Sequence, residues 1–262
     1  MTTVATQLQL KLGVVGKGGV GKTTVSGLVA RRYAERGRQV VAVDTDSNPN
    51  LGLSLGLSLE QMEAVPVLPR ATIVGAGGSA SSADLLAEYG RATPAGPTLL
   101  SAIKVAQAGA GCTCSGHATV RSLLSDALEN VDLTLVDMEA GLEHLSRSGG
   151  TLAYADLLLV VCEPTRKSVL TASRTASLAA ELGIPGVLAV GNKAKSPEDV
   201  AFFRETLTSE GIEIAGILPY DPEVAAADRV GEVGLQPVAP AVQAALDEVL
   251  DALDKARARI EA

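Results

Sequence analysis

A short run near the start of the chain has the residue types and spacing to hold phosphate: Gly16-Lys17-Gly18-Gly19-Val20-Gly21-Lys22-Thr23-Thr24. Glycines let backbone N–H groups close around phosphate oxygens, because no Cβ stands between them. A helix beginning here adds the positive end of its dipole. Lys22 then reaches the β- and γ-phosphates, and the Thr23 hydroxyl is placed for Mg²⁺. The plainer reading is a glycine turn between a strand and a helix. The flanks favour phosphate: apolar Leu10–Val15 precedes the loop and a helical pattern, Lys22–Arg36, follows it. That is the context in which the spacing carries meaning. The expected nucleotide contacts are therefore Gly18, Gly19, Val20, Gly21, Lys22, Thr23 and Thr24.

Aspartates end two other apolar runs, in Val43-Asp44-Thr45-Asp46-Ser47-Asn48-Pro49-Asn50-Leu51 and in Leu135-Val136-Asp137-Met138-Glu139-Ala140-Gly141. One such aspartate alone reads as a cap or turn residue. A pair at strand ends beside a phosphate loop reads as part of a site, since ligands sit beyond the carboxyl ends of parallel strands. Further on, Asn192-Lys193-Ala194-Lys195 lacks the guanine-selecting Asn-Lys-x-Asp pattern, which favours ATP over GTP. Asn192 itself also fits a simple turn.

The third constellation is Cys112-Thr113-Cys114, just ahead of a helical pattern. In an extended segment, side chains two apart share a face. A helix N-terminus favours the thiolate that binds metal. Two thiolates are too few for a closed tetrahedral site, but a two-fold dimer supplies four. Spacing alone fits incidental small residues equally well. Cys162 ends an apolar run and reads as core; His117 reads as an exposed first-turn residue.

These residues need a scaffold. Strands are expected at Leu10–Val15, Gln39–Val43, Leu133–Asp137, Leu157–Cys162, Gly186–Asn192 and Glu213–Leu218. Helical patterns occupy Lys22–Arg36, Thr119–Glu129, Lys167–Leu182, Pro197–Glu210 and Val238–Ile260. Apolar strands alternating with helices predict an α/β P-loop NTPase fold with a mostly parallel central sheet and helices on both faces. The rhythm fails between Ala71 and Pro97, where Gly75-Ala76-Gly77-Gly78-Ser79-Ala80-Ser81-Ser82 predicts a flexible loop. The expected organisation is one P-loop ATPase domain over 1–262, with an inserted segment at about 64–116 that carries the Cys pair.

Composition narrows the function. The net charge of −8 gives no general attraction to nucleic acid or anionic membrane. Aromatics are 2% of residues, too few for a base-stacking surface. Three cysteines are an odd count, which argues against a secreted disulfide framework. The first residues do not read as a signal peptide, and no apolar run is long enough to span a membrane. The expected location is the cytoplasm.

The loop Gly16–Thr24 as a unit resembles the deviant Walker A loop of the MinD/ParA ATPases, a family that also holds the nitrogenase iron protein. The resemblance implies that Lys17 reaches across a dimer interface to the partner's nucleotide, as an arginine finger does. It implies that Asp46 positions the attacking water and joins Thr23 and Asp137 around Mg²⁺, and that Gly141 approaches the γ-phosphate. Asn192, Pro219 and Asp221 match adenine-contacting positions. Within that family, Cys112-x-Cys114, Asp137-Met138-Glu139-Ala140-Gly141-Leu142-Glu143-His144-Leu145, Asn48-Pro49-Asn50-Leu51 and Pro219-Tyr220-Asp221 resemble the CooC family. CooC proteins are ATPases that assist nickel insertion into carbon monoxide dehydrogenase. This implies a homodimer formed on ATP or metal binding, with Ni²⁺ or Zn²⁺ shared by Cys112 and Cys114 of both chains, and a client metalloenzyme such as carbon monoxide dehydrogenase.

Two other classes are open to the same fold. A partitioning or positioning switch of the MinD/ParA type binds membrane through a basic amphipathic C-terminal helix. Here that helix carries Asp247, Glu248, Asp251, Asp254 and Glu261 against Lys255, Arg257 and Arg259. A reductase like the nitrogenase iron protein also uses two cysteines per chain, but far apart in sequence.

Overall fold

Alternation along each strand sorts the apolar side chains into two layers. On β6 (Leu157–Cys162), Leu157, Leu159 and Val161 join one buried cluster, while Leu158, Val160 and Cys162 join the other. The same split runs through β2 (Val40–Asp44), where Val40 and Ala42 face away from Val41 and Val43. A strand apolar on both faces is stable only where both are covered. Burying one such Leu or Val is worth about 1.5–3 kcal/mol, so these strands fix the layer order.

The computed structural model describes residues 9–69, 81–103, 119–121, 123–124, 128, 130–141, 145, 151–231 and 235–262. Its sheet has eight strands in the order β3-β4-β2-β5-β1-β6-β7-β8. These are β1 Leu10–Gly16, β2, β3 Arg91–Ala92, β4 Thr98–Ser101, β5 Leu133–Asp137, β6, β7 Gly186–Ala194 and β8 Glu213–Pro219. All pairings are parallel except β3 with β4.

The helices are α1 Lys22–Glu35, α2 Leu51–Ser54, α3 Leu59–Glu63, α4 Ser82–Tyr89, α5 Arg166–Glu181, α6 Pro197–Ser209, α7 Pro222–Val230 and α8 Pro240–Glu261. On one face α1 and α8 contribute Val25, Leu28, Leu246 and Val249 to the core; on the other α5 and α6 contribute Val169, Ala172, Phe203 and Leu207. The expected α/β architecture is the observed one. Among the described residues, no helix is long and apolar enough to cross a membrane.

The segment 64–116 needs correction. It is not wholly an insertion, because β4 lies within it and pairs in parallel with β2, bringing Leu99 and Leu100 into the two cores. Four residues behind the turn Pro94–Pro97 give too short a pattern to read as a strand. The glycine/serine stretch also ends in order: Ser81 accepts from the Asp84 N–H and caps α4. Cys112, Cys114 and His117 lie outside the described residues. Cys162 is buried in the core, as expected, and burial pushes its thiol up to about 11.

Candidate nucleotide site

The carboxyl ends of β1, β2 and β5 meet at one edge of the sheet, and the phosphate loop closes over them. Backbone geometry explains the glycines. Gly21 has φ 94, and a Cβ there would stand 2.6 Å from Asn192 Nδ2. At Gly16 a Cβ would meet the Val161 carbonyl oxygen at 2.6 Å. Side chains of Ser58, Ser81, Thr165, Ser196 and Asp221 cap α3 to α7. Helix α1 instead begins at Gly21 with no side-chain cap and no acid in its first turn. Its first N–H groups are thus left for a bound anion.

Beneath the loop lies Asp137, at the end of β5. It accepts the Thr23 hydroxyl at 2.7 Å and the Ser26 hydroxyl at 2.8 Å. Burial pushes its carboxyl up to about 6, against the pull of those hydroxyls and of Lys22. Lys22 is itself buried, and that burial lowers its pKa while Asp137 and Asp46 raise it. Its ammonium donates to the Lys17 carbonyl at 3.4 Å. That one hydrogen bond is long, which leaves N–H donors of the ammonium for phosphate.

Asp44 pairs in register with Asp137. Its Oδ1 accepts the Asp46 N–H at 3.0 Å, and its Oδ2 accepts Asn50 N–H at 2.9 Å and Leu51 N–H at 2.8 Å. Burial, and then the charge of Asp137, lift Asp44 to about 7. Thr45 ties the two acidic loops at their roots, donating its hydroxyl to the Asp137 carbonyl at 2.7 Å. Farther out, Ser47 donates to Glu139 at 3.3 Å. Asp46 is half-buried, and its Oδ1 accepts the Asn48 N–H at 2.9 Å. Asp46, Asp137, Thr23 and Lys22 thus lie together in one electrostatic cluster. Its donors are hard oxygens with surplus negative charge, and that set fits Mg²⁺.

Next to the loop, a partly open pocket of about 100 Å³ is lined by Gly21, Thr24, Leu28, Asn192, Lys193, Pro219, Tyr220 and Asp221, among others. The sequence-predicted base residues Asn192, Pro219 and Asp221 all reach it. Asp221 caps α7 with Oδ1, accepting the Glu223 N–H at 2.7 Å, while its buried Oδ2 has no partner among the described residues. A buried acceptor left open in a pocket is a place for a ligand's N–H. Lys17 is half-buried, and its backbone carbonyl accepts from Lys22.

The CobQ/CobB/MinD/ParA nucleotide binding domain matches residues 14–233. Carbon monoxide dehydrogenase accessory protein CooC of Rhodospirillum rubrum is 36% identical over 237 residues, 85% of this chain and 88% of its own length. The chain belongs to the CooC family, within the MinD/ParA nucleotide-binding proteins. An uncharacterised ATP-binding protein of Methanocaldococcus jannaschii is 34% identical, over 85% of this chain and 90% of its own. Among solved structures, MinD of Pyrococcus horikoshii complexed with Mg-ADP superposes with a TM-score of 0.71 at 18% identity. It covers 97% of this chain and 99% of that one, and it shows the fold alone.

Sequence reasoning about this CooC-family chain missed Asp44, Thr45, Ser26 and Lys193 as site residues. Asp44 had a usable signal, its Asp-x-Asp spacing with Asp46 at a strand end. Ser26 lies one helical turn after Thr23, on the same face of α1. Thr45 and Lys193 act through contacts between distant segments, which local pattern does not reveal.

Proposed function

We propose that this chain is an ATPase that works as a nucleotide-dependent metallochaperone, delivering nickel to a metalloenzyme such as carbon monoxide dehydrogenase. One observation carries the nucleotide reading: the uncapped start of α1 stands over Asp137, which is held by hydroxyls of that same helix. The cargo reading rests on the CooC relative and on Cys112 and Cys114. Nickel, or zinc in its place, is the substrate of delivery, shared by four thiolates in a homodimer.

In this reading the loop N–H groups and Lys22 hold the β- and γ-phosphates. Mg²⁺, held by Thr23 with Asp137 and Asp46 behind it, would neutralise phosphate charge. Asp46 orients a water in line with the γ-phosphorus. The water oxygen bonds to phosphorus as the bond to the β,γ-bridging oxygen breaks, giving ADP and inorganic phosphate, and the water's proton passes to a phosphate oxygen or to solvent. Lys17 of a second chain stabilises the phosphate charge in trans. The adenine amino group donates to Asp221. The chain acts as one P-loop ATPase unit in the cytoplasm, with the Cys pair on the segment beyond β4.

A membrane-positioning switch finds less support. The apolar residues of α8, Val242, Leu246, Val249, Leu250 and Leu253, are already buried against the core.

The test is metal stoichiometry per chain under anaerobic reducing conditions, with ADP and with a slowly hydrolysed ATP analogue. Half an ion per chain, shifted by nucleotide and lost in a Cys112→Ser/Cys114→Ser variant, is the expected result. Equal binding by wild type and variant overturns the cargo reading and leaves an ATPase switch.

A further inference from the structure

Lys193 has no role in the reaction described so far, yet four features single it out. Its φ is 64, in the left-handed region that a lysine seldom enters. Such outliers persist only where neighbours enforce them, and they gather at functional positions. The enforcing contact is visible: the Lys193 N–H donates to Asn192 Oδ1 at 3.0 Å.

The second feature is where this happens. Pairing of β7 with β8 shifts register between Gly191 and Ala194. An irregularity of that kind re-aims side chains at sheet ends. Beyond it the ladder resumes, with Ala194 opposite Pro219 and the Tyr220 N–H donating to the Ala194 carbonyl at 2.7 Å. A separate shift lies lower on the strand, between Ala189 and Val190, so the upper one falls on the Asn192-Lys193 step.

Third, the displaced pair grips the phosphate loop. Asn192 Nδ2 donates to the Val20 carbonyl at 2.8 Å, and Lys193 Nζ donates to the Gly19 carbonyl at 2.7 Å. Two successive side chains of β7 thus hold two successive carbonyls of the loop. A peptide whose C=O is held outward keeps its own N–H on the opposite side. Exposed Gly18 and Gly19 are otherwise free to turn a carbonyl toward the phosphates, which would repel them.

Fourth, the same side chain reaches the base pocket. Lys193 lines it together with Tyr220, and its Cε lies 3.7 Å from the point where a Gly21 Cβ would stand. The stem is apolar while the head is tied to the loop.

We propose that Lys193 is a positioning residue that couples base occupancy to the shape of the phosphate loop, its methylene stem serving as a wall for the base and its ammonium as a clamp on Gly19. A base packed on the stem restricts the rotamers of Lys193 and so favours the clamped loop; a clamped loop presents the stem to the base. The proposal rests on the ATP-binding reading above.

The test measures affinity by calorimetry, for the full chain with Mg²⁺, of ATP and of inorganic tripolyphosphate, which has no base. Lys193→Met keeps the stem and removes the ammonium. It is expected to weaken tripolyphosphate about fivefold and ATP by a larger factor, because the gain the base draws from the clamp is lost with it; equal factors overturn the coupling. Lys193→Ala removes both; it should weaken tripolyphosphate as Lys193→Met does and weaken ATP several-fold more. Lys193→Arg, which keeps stem and cation, should restore most of the tripolyphosphate affinity. Wild-type affinities in Lys193→Met overturn the clamp. Equal losses of ATP in Lys193→Met and Lys193→Ala overturn the wall. If Lys193→Ala melts early, Lys193→Met against Lys193→Arg still decides the clamp, and Lys193→Ser against Lys193→Met decides the wall. A wild-type chain that binds tripolyphosphate but not ATP overturns the functional reading, and the coupling falls with it.

Discussion

The two ends of the sheet use the same residue in opposite ways. At the amino ends, Asp132 accepts the Gln39 N–H at 2.7 Å and Asp156 accepts the Lys11 N–H at 2.8 Å. Asp156 also faces Arg257 at 3.6 Å, and Arg257 in turn donates to the Gln9 carbonyl at 2.7 Å. Each carboxylate there precedes a strand and accepts a backbone N–H at the start of a neighbouring one, and Asp156 meets the charge of Arg257. At the carboxyl ends, Asp44 and Asp137 lie side by side in the core, and both are pushed up, to about 7 and about 6. The amino ends are complete as folded. The carboxyl ends crowd two buried carboxylates that hydroxyls, backbone N–H groups and Lys22 only partly offset.

Removing the uncompensated charge should produce the largest effect. Asp137→Asn is expected to lower ATP turnover by about a hundredfold or more. The melting temperature of the nucleotide-free chain should hold or rise, because a like charge beside Asp44 has gone. Phosphate release and thermal melting read the two halves. A variant that keeps its turnover breaks the contrast between the ends.

The pH dependence of stability sharpens it. Asp44 and Asp137 bind protons more readily folded than at the ordinary aspartate value of 3.8. Between about pH 4 and pH 7 the folded chain therefore holds more protons than the unfolded one, and their contribution to stability falls as pH rises. Melting temperatures of the nucleotide-free chain across that window should decline, and Asp44→Asn should flatten the slope. An unchanged slope in Asp44→Asn would count against the charge imbalance.

At the other end, Asp156→Ala should cost about 1 kcal/mol of stability, the worth of a partly buried hydrogen bond, with ATP turnover unchanged. Denaturant titration and phosphate release check it. The smallest effect is expected outside both layers. Ser47→Ala loses one bond to Glu139 and should change turnover by about twofold to fivefold, read from initial rates over a range of ATP concentrations.

Much of this arrangement was legible in the sequence because it is local. The strand Leu133–Asp137 and the strand Leu157–Cys162 have their predicted bounds, since continuous apolar runs between turn residues leave little choice. The loop Gly16–Thr24 carried its own meaning, glycine by glycine. What stayed hidden depends on tertiary pairing. β4 is too short to announce itself and is a strand because β2 lies beside it. Helix α7 begins only where Asp221 caps it. That Asp44 has Asp137 as its register partner also depends on tertiary pairing.

The strand that leads into the phosphate loop is central, yet its neighbours come late in the chain. Leu10 pairs with Leu133, and Leu12 pairs with Leu157 as well. Such long-range parallel pairings form slowly, because large loops must close before any contact rewards them. During synthesis the amino-terminal strand waits exposed and apolar while more than half of the chain is made, and the phosphate loop has no floor to stand on until β5 and β6 arrive. The nascent chain therefore has no formed phosphate loop before its own sheet is closed.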